Sequence, residues 1–216
     1  MKKTGNAQVS PDHYLSQKYD SKERWVSYWY QINEVLSLNP RNVLEIGVGN
    51  KTVSDYLKKT GIKVVTCDFD KSLKPDIIAN VLNLPFKKNS FDVVLCAEVL
   101  EHLPFTDLPK ALREIHRVVK SHLVITLPHF SLTNIYIGAK VIPFIPKKQI
   151  TIKVDFPFRH SFGGEHYWEI GKKKYDLGRL KKALIDSSFF IEKDYYPPEN
   201  PRHHFFILSK KNVNAS

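Results

Sequence analysis

The chain has 216 residues, 42% of them hydrophobic, a size and composition that suit one globular domain with a full core. It contains no run of about 18 uncharged apolar residues, and its polar start, Met1–Asn6, lacks the apolar stretch of a signal peptide. Two cysteines, Cys67 and Cys96, are too few for a disulfide framework. We therefore expect no membrane span, two buried thiols and a cytoplasmic protein.

Basic residues outnumber acidic ones by 33 to 22, which gives a net charge of +11. Such an excess raises the encounter rate with anionic partners such as phosphates, nucleic acid or anionic lipid. The charge is spread along the chain, with short clusters at Lys147-Lys148, Lys172–Lys174 and Lys181-Lys182. A solvated basic face therefore explains it as well as a specific anion site does.

Residues 1–39 are predicted to form a polar tail, up to about residue 18, followed by one helix. The helix is expected between Asp20 and Leu38 because apolar residues recur there at spacings of four, three and four: Trp25, Trp29, Ile32 and Leu36. Asn39-Pro40 ends it.

From residue 40 onward, short apolar runs alternate with helical stretches. Strands are predicted at Val43–Ile46, Lys63–Cys67, Ile77–Ala79, Phe91–Ala97 and Ser121–Thr126, and helices at Thr52–Lys59 and Asp107–Val119. Alternation at this spacing implies right-handed crossovers and a parallel sheet. Because the run Phe91–Ala97 is apolar almost throughout, we expect a central strand covered on both faces. These features predict a doubly wound, Rossmann-like α/β domain over residues 40–210.

The alternation of strands and helices is interrupted by an insertion at about residues 130–166, where Pro143, Pro146 and Pro157 exclude a long helix. We interpret it as a lid over the carboxyl ends of the strands; a loop packed on the domain is the alternative. A helix is predicted at Leu177–Ser187. Two final runs, Phe189–Tyr196 and His203–Ser209, flank a proline-rich connection and predict an antiparallel hairpin that completes a seven-stranded, mostly parallel sheet.

Gly47 and Gly49 follow the first predicted strand, where ligands of an open parallel sheet bind, and Asp68 ends the second. A dinucleotide and S-adenosylmethionine (SAM) both fit this outline. A dinucleotide site needs a third glycine at position 52, which is a threonine here. Glu45, two residues before Gly47, suits the ammonium group of SAM and would face a pyrophosphate poorly. The residues therefore favour SAM over NAD.

Four motifs in register resemble class I SAM-dependent methyltransferases: residues 43–49 (VLEIGVG), 65–68 (VTCD), 84–94 (LPFKKNSFDVV) and 98–104 (EVLEHLP). The resemblance covers about residues 40–128. It implies that Glu45, Gly47 and Gly49 contact the methionine end of SAM, and that Asp68 binds the ribose. It also implies that Phe69 packs near the adenine and that Cys96 lies beside the sulfonium. Asn80 stands where the family often has an aspartate that accepts the adenine amino group.

Acceptor chemistry is expected from Glu98, Glu101 and His102, which would share one face if their segment were helical. Two carboxylates and an imidazole repel unless a cation lies between them, and Mg²⁺ or Mn²⁺ suits such ligands. The pattern resembles the metal ligands of the O-methyltransferases of ubiquinone biosynthesis and of small-RNA 2′-O-methyltransferases, with His166 as counterpart of a further histidine. The alternatives are carboxylates paired with lysines and His102 as an unaided base. Arg159 is a further candidate on the acceptor side.

These observations predict a methyltransferase that acts on a hydroxyl of a polar small molecule or a sugar-containing acceptor. An RNA 2′-O-methyltransferase is the alternative from the same chemistry, but the chain carries no appended RNA-binding module. A SAM-binding protein without catalysis is the alternative from another class. The apolar, lysine-flanked stretch Ile135–Ile152 permits lipid-surface docking or dimerisation, and we expect a monomer or a homodimer.

Overall fold

A computed structural model describes residues 13–14, 16–139, 148–154 and 158–211. The helices are α1 (Lys22–Ser37), α2 (Thr52–Lys59), α3 (Leu108–Val118) and α4 (Leu177–Asp186). The strands are β1 (Asn42–Ile46), β2 (Lys63–Asp68), β3 (Ile77–Ile78), β4 (Phe91–Ala97), β5 (Val119–Pro128), β6 (Thr133–Ala139), β7 (Lys148–Val154), β8 (Phe189–Tyr195) and β9 (His203–Lys210). Within the described residues, no helix is both long and apolar enough to cross a membrane.

Seven strands form one sheet in the order β3-β2-β1-β4-β5-β9-β8. The first five run parallel, and β9 lies antiparallel to both β5 and β8. The predicted Rossmann-like sheet with an antiparallel hairpin at its end is therefore confirmed. β1 and β4 occupy the middle of the sheet, so their carboxyl ends meet at the same edge.

Helices cover both faces of the sheet because its central strands bury side chains on both sides. Val43 and Val93 pack in a cluster with residues of α1 and α2. Their neighbours Leu44 and Val94 point to the opposite face and pack with residues of α3 and α4. All four side chains are almost fully buried, which explains the continuous apolar character of these strands.

The predicted insertion contains regular structure that the sequence reading did not anticipate. β6 and β7 form a separate antiparallel hairpin, in which Ile135 lies opposite Ile152. Pro143, Pro146 and Pro157, on which the expectation of an irregular segment depended, lie outside the described residues. Because β5 ends at Pro128, the hairpin leaves the sheet at the edge where β1 and β4 also end.

Candidate functional site

The turn after β1 requires glycine at its first position for two reasons. Gly47 has φ +83°, a conformation that other residues rarely adopt, and a Cβ at this position would overlap Val99 Cγ2. The backbone N–H of Gly47 donates a hydrogen bond to the carbonyl oxygen of Cys67 at 2.9 Å, which ties the turn to the end of β2. Gly49 also has positive φ, +47°. We call this turn, at the carboxyl edge of the sheet, the glycine cradle.

Glu45 lies two residues before this cradle, in a position from which water is excluded. The residue is 5% exposed, and its Oε2 has no hydrogen-bond partner. Burial raises the pKa of Glu45 to about 8, because the charged carboxylate loses its hydration. A buried carboxylate oxygen without a partner is the acceptor that an ammonium group satisfies, so Glu45 fits the amino end of SAM.

Asp68 ends β2 beside the cradle and is held rigidly. Its Oδ2 accepts a hydrogen bond from the backbone N–H of Val48 at 3.0 Å, and its Oδ1 accepts one from Asp70 at 2.9 Å. Each oxygen keeps a further lone pair, so two hydroxyl groups can still be bound. Phe69 follows with 44% of its surface exposed, which agrees with a ring available to a flat ligand rather than a core residue.

Asn80 and Cys96, which were predicted to lie beside SAM, are less directly placed to contact it through their side chains. Asn80 is exposed, and its Oδ1 already accepts a hydrogen bond from the backbone N–H of Leu82 at 2.9 Å. Cys96 is completely buried in the core cluster, and burial raises the pKa of its thiol well above the ordinary value. Only the backbone of Cys96 can therefore face a cofactor, whereas its thiol packs among apolar side chains.

The segment after β4 is not the helix that would have put its three polar side chains on one face. Glu98 has φ +54°, which prevents a helix from starting there, and only Leu100–His102 form one turn of 3₁₀ helix. As a result Glu98 points elsewhere, with its Oε2 3.4 Å from His203 Nε2. The prediction of a common helix face is wrong, and Glu98 is not among the residues whose ligand atoms converge.

Glu101, His102 and His166 do converge, with one ligand atom from each within 4.8 Å of the others. Glu101 has no exposed surface, and neither carboxylate oxygen has a hydrogen-bond partner. Burial raises the pKa of Glu101 well above its ordinary value, and the nearby Glu98 carboxylate raises it further. A fully buried carboxylate without hydrogen bonds is rare, and it calls for a proton or a cation.

The two imidazoles of this cluster are oriented in the same way. His102 Nδ1 lies 3.1 Å from the carbonyl oxygen of Glu165, and His166 Nδ1 lies 3.1 Å from Glu169 Oε1. An Nδ1–H donated to oxygen leaves the lone pair on Nε2 of each ring, as in histidines that bind metal or accept a proton. The rings meet edge to face at 5.0 Å.

The surroundings of the two histidines shift their pKa values in opposite directions. Burial lowers the pKa of His102, and the neighbouring His166 lowers it further, so His102 is neutral at pH 7. Burial also opposes the charge on His166, but the hydrogen bond and negative charge of Glu169 outweigh it and raise the pKa of His166. His102 is therefore the ring ready to accept a proton.

The sequence reading missed the residues that reach this site from the amino-terminal segment. Residues 13–18 were expected in a loose tail, but the Tyr14 ring lies 3.8 Å, and the Tyr19 hydroxyl 3.9 Å, from where a Cβ of Gly49 would be. The Asn50 amide donates a hydrogen bond to Asp20 Oδ1 at 2.9 Å, which fastens the segment to the cradle.

Arg24 is a basic neighbour of the acidic cluster that sequence reasoning also missed. Its guanidinium lies over the Tyr19 ring at 4.5 Å, and its positive charge lowers the pKa of Glu101, against the larger effect of burial. His203 links Glu98 to α1, since its Nδ1 lies 2.7 Å from Ser27 Oγ. The exposed Arg159 pairs with Lys173 through an isolated backbone β-bridge and lies outside the convergent cluster.

Residues 44–125 match the family described as "Methyltransferase domain". A demethylmenaquinone methyltransferase from Corynebacterium efficiens is 30% identical over 132 residues, which cover 54% of this chain and 56% of that protein. A 2-phytyl-1,4-naphtoquinone methyltransferase from Nostoc sp. is 26% identical over 141 residues, 61% of this chain and 56% of that protein. The chain thus spans little more than half the length of these two curated relatives.

The solved structure of the CcbJ methyltransferase from Streptomyces caelestis has the same fold, with a TM-score of 0.63 and 13% identity over 96% of this chain and 100% of that one. The family match covers the glycine cradle, Asp68 and the segment after β4. Over residues 44–125 the chain is thus similar to the methyltransferase-domain family, and its fold is that of a solved methyltransferase.

Proposed function

We propose that this chain transfers the methyl group of SAM to a hydroxyl oxygen of a small-molecule acceptor, and that it holds a divalent cation between Glu101, His102 and His166. The observation that carries the second part is the Glu101 carboxylate, which is fully buried without a hydrogen bond beside two imidazoles with available Nε2 atoms. Its oxygens and the two nitrogens form a donor set that suits Mn²⁺ better than Mg²⁺, which prefers oxygen ligands.

The cofactor part of the proposal is supported by the cradle between β1 and β2. Glu45 supplies an unpaired acceptor for the ammonium group, and Asp68 supplies lone pairs for the ribose hydroxyls. Gly47 and Gly49 have positive φ and carry no Cβ, which lets the chain turn tightly beside the end of β2. Phe69 is exposed beside Asp68, where it can pack on the adenine.

In the proposed reaction the acceptor oxygen forms a bond to the methyl carbon while the carbon–sulfur bond breaks, so the sulfonium becomes a neutral thioether. Without the cation, the proton of the hydroxyl would pass to Nε2 of His102, which is neutral at pH 7; with the cation bound, that lone pair would be a ligand and the proton would pass to water. The carbonyl oxygen of Glu165 holds the His102 ring through Nδ1 and fixes which nitrogen is the base. A bound divalent cation would supply a lowered hydroxyl pKa and a second anchor for a vicinal oxygen.

A quinone-type acceptor is a second candidate, and the two curated relatives favour it, since their names give demethylmenaquinone and 2-phytyl-1,4-naphtoquinone as substrates. A reduced quinone ring offers two hydroxyl groups that are not adjacent, so it needs no shared cation. The two candidates therefore differ in their dependence on metal as well as in the acceptor.

The test is transfer of radiolabelled methyl from SAM to a catechol, a sugar diol, a reduced demethylated naphthoquinone and a short RNA, with and without EDTA. The proposal predicts transfer to a vicinal diol, loss of activity in EDTA and recovery on adding Mg²⁺ or Mn²⁺. Full activity in excess EDTA would exclude the metal. Transfer to RNA alone, with steep loss at high salt, would favour the RNA alternative.

Variants separate the roles of the residues. Glu101→Gln should abolish metal-dependent activity, by about 100-fold or more, because a neutral amide cannot hold the cation. Glu165→Gln is the matched control, since its side chain is exposed and only its backbone contacts His102. Equal activity of Glu101→Gln and the wild type would refute the role of Glu101. SAM that raises the melting temperature without any transfer to these acceptors would support a non-catalytic SAM-binding protein.

A further inference from the structure

One side of α1 presents large apolar side chains to solvent. Trp25 and Trp29 have 54% and 59% of their surfaces exposed, and Leu36, two turns further along the helix, has 37% exposed. Tyr56 of α2 lies beside them and is 50% exposed. We call these four residues the aromatic patch. Ile32 lies between Trp29 and Leu36 on the same side, so the apolar spacing that predicted the helix belongs to the side turned away from the sheet.

Polar contacts on the other side of α1 fix the orientation of the helix. Ser27 Oγ lies 2.7 Å from His203 Nδ1, and Glu34 accepts hydrogen bonds from Tyr195 Oη at 2.8 Å and from Lys193 Nζ at 3.0 Å. A surface helix normally turns its apolar side to the core and its polar side to water. Because α1 instead buries Ser27 and Glu34 against β8 and β9, it cannot rotate to bury its tryptophans, and another surface is needed to cover them.

The aromatic patch has the residues and the shape of a protein-binding surface. Together with Asn33 it lines a groove of about 300 Å³ between α1 and α2. The Trp25 ring meets Tyr28 edge to face at 5.8 Å, and the Trp29 ring meets Tyr30 in the same way at 4.9 Å. Rings that neighbours already hold lose little conformational freedom on binding. Tryptophan and tyrosine are also the residues that contribute most to the binding energy of protein interfaces.

The area of the aromatic patch is that expected for one half of a stable dimer interface. An aromatic side chain can bury about 150–250 Å², so the exposed fractions of the four residues amount to about 400 Å². Ordinary interfaces are a little more than half apolar, and an apolar patch of this size therefore belongs to a contact of about 700 Å² on each partner. Stable interfaces between proteins cover about 800 Å² on each partner.

The charges of α1 favour a second copy of this chain as the covering surface. The helix has no net charge, because two basic residues are balanced by two acidic ones: Lys22, Arg24, Glu23 and Glu34. Its exposed charges, Lys22 and Glu23, lie in the first turn, whereas the exposed residues of the last turn, Leu36 and Ser37, are uncharged. A twofold axis perpendicular to the patch makes two copies of α1 antiparallel, so that like charges do not meet and the helix dipoles are opposed. A lipid surface would require a row of basic residues beside the rings, which the exposed side of α1 lacks.

We propose that the aromatic patch is the interface of a homodimer, in which rings of each copy fill the groove between α1 and α2 of the other. The inference does not rest on the proposed methyl transfer. Arg24, which precedes Trp25, lies over the Tyr19 ring at 4.5 Å, and the Tyr19 hydroxyl lies beside Gly49 of the glycine cradle. The dimer contact and the cofactor site would therefore share α1.

Sedimentation velocity of the full chain over a range of concentrations tests the proposal. The wild type should form a dimer at micromolar concentrations. The double variant Trp25→Ser/Trp29→Ser should weaken the dimer by about 100-fold or more, because it removes two anchoring rings from each side of the interface. Ile185→Ser is the matched control and should leave the dimer intact, since Ile185 is also exposed, at 47%, but lies on α4, which covers the opposite face of the sheet.

Tryptophan fluorescence of the wild type makes the test independent of the stability of the double variant. Of the three tryptophans, Trp168 is 1% exposed, so a change of emission on dilution reports on Trp25 and Trp29. Their emission should shift to the red over the concentrations at which sedimentation shows the dimer dissociating. The proposal is overturned if the wild type is a monomer at every concentration measured, or if the double variant dimerises as tightly as the wild type. A dimer that dissociates without any change in tryptophan emission overturns it as well.

Discussion

Glu45→Gln replaces a carboxylate that the fold buries beside the glycine cradle with an amide of the same shape. In the unfolded chain Glu45 ionises near its ordinary pKa of 4.5, whereas in the folded protein burial raises that pKa to about 8. The folded state therefore keeps a proton that the unfolded state loses, and stability falls as pH rises between these values. The glutamine variant has no such proton to lose.

The size of this loss of stability follows from the difference between the two pKa values, since one pKa unit corresponds to about 1.4 kcal/mol. Between pH 5 and pH 7.5 the wild type should lose about 3 kcal/mol of unfolding free energy relative to Glu45→Gln. Urea unfolding at a series of pH values measures this difference directly. The curves of wild type and variant should converge near pH 4.5 and separate as pH increases.

Cofactor binding gives a second measurement on the same group. At pH 7 a carboxyl group with a pKa of about 8 is about 90% protonated, so binding an ammonium group beside it should release about 0.9 proton. Calorimetric titration of S-adenosylhomocysteine in buffers of different ionisation enthalpy counts this proton. Glu45→Gln should release none, and neither should wild type with 5′-methylthioadenosine, which lacks the amino-acid end. Binding of S-adenosylhomocysteine to wild type without proton release would refute the role of Glu45.

Three further changes test other parts of the site. Gly47→Ala should lower the free energy of unfolding by about 2–4 kcal/mol in urea, because position 47 has φ +83° and an added Cβ would overlap Val99. The second substitution Val99→Ala should restore only the part of this loss that is due to the overlap. Full recovery would show that the φ angle is unimportant. Arg24→Met removes a positive charge near Glu101 and should therefore strengthen Mn²⁺ binding severalfold. Paramagnetic resonance of free Mn²⁺ measures this affinity. Unchanged or weaker binding would contradict the proposed location of the ion. Cys67 and Cys96 should react with a thiol reagent only at the rate at which the protein unfolds, because both side chains are fully buried and burial raises the pKa of Cys67 to about 11. Rapid reaction in the native state would disprove their burial.

The sheet and the glycine turn after β1 could be predicted because their signals are local. β4 spans the predicted residues, Phe91–Ala97, since Val93–Ala97 are all apolar and the polar residues Ser90 and Glu98 flank the strand. α2 likewise begins and ends where expected, between Thr52 and Lys59. Gly47 and Asp68 could be placed because the end of a parallel strand is itself the binding edge.

The acceptor side could not be predicted in the same way because it depends on contacts between distant segments and on one unusual backbone angle. Glu98 has φ +54°, which no spacing rule anticipates, and so it turns toward His203 rather than toward Glu101 and His102. Arg24 was one polar residue in a helical pattern, and its proximity to Glu101 arises only when α1 packs on the sheet. The hairpin, by contrast, had a signal: the alternation at Ile135–Ile137 and Ile150–Ile152 is that of paired strands.

The position of β9 in the sheet has a consequence for how the molecule is made. β9 is the last strand in the chain, yet it lies between β5 and β8 and pairs with β5 along seven residues, His122–Pro128. Until residues 203–210 have been synthesised, β5 has an open edge, and His203 cannot yet contact Glu98. A chain in which β9 has not yet paired would therefore expose the edge of β5, and this edge would be open to pairing with another chain.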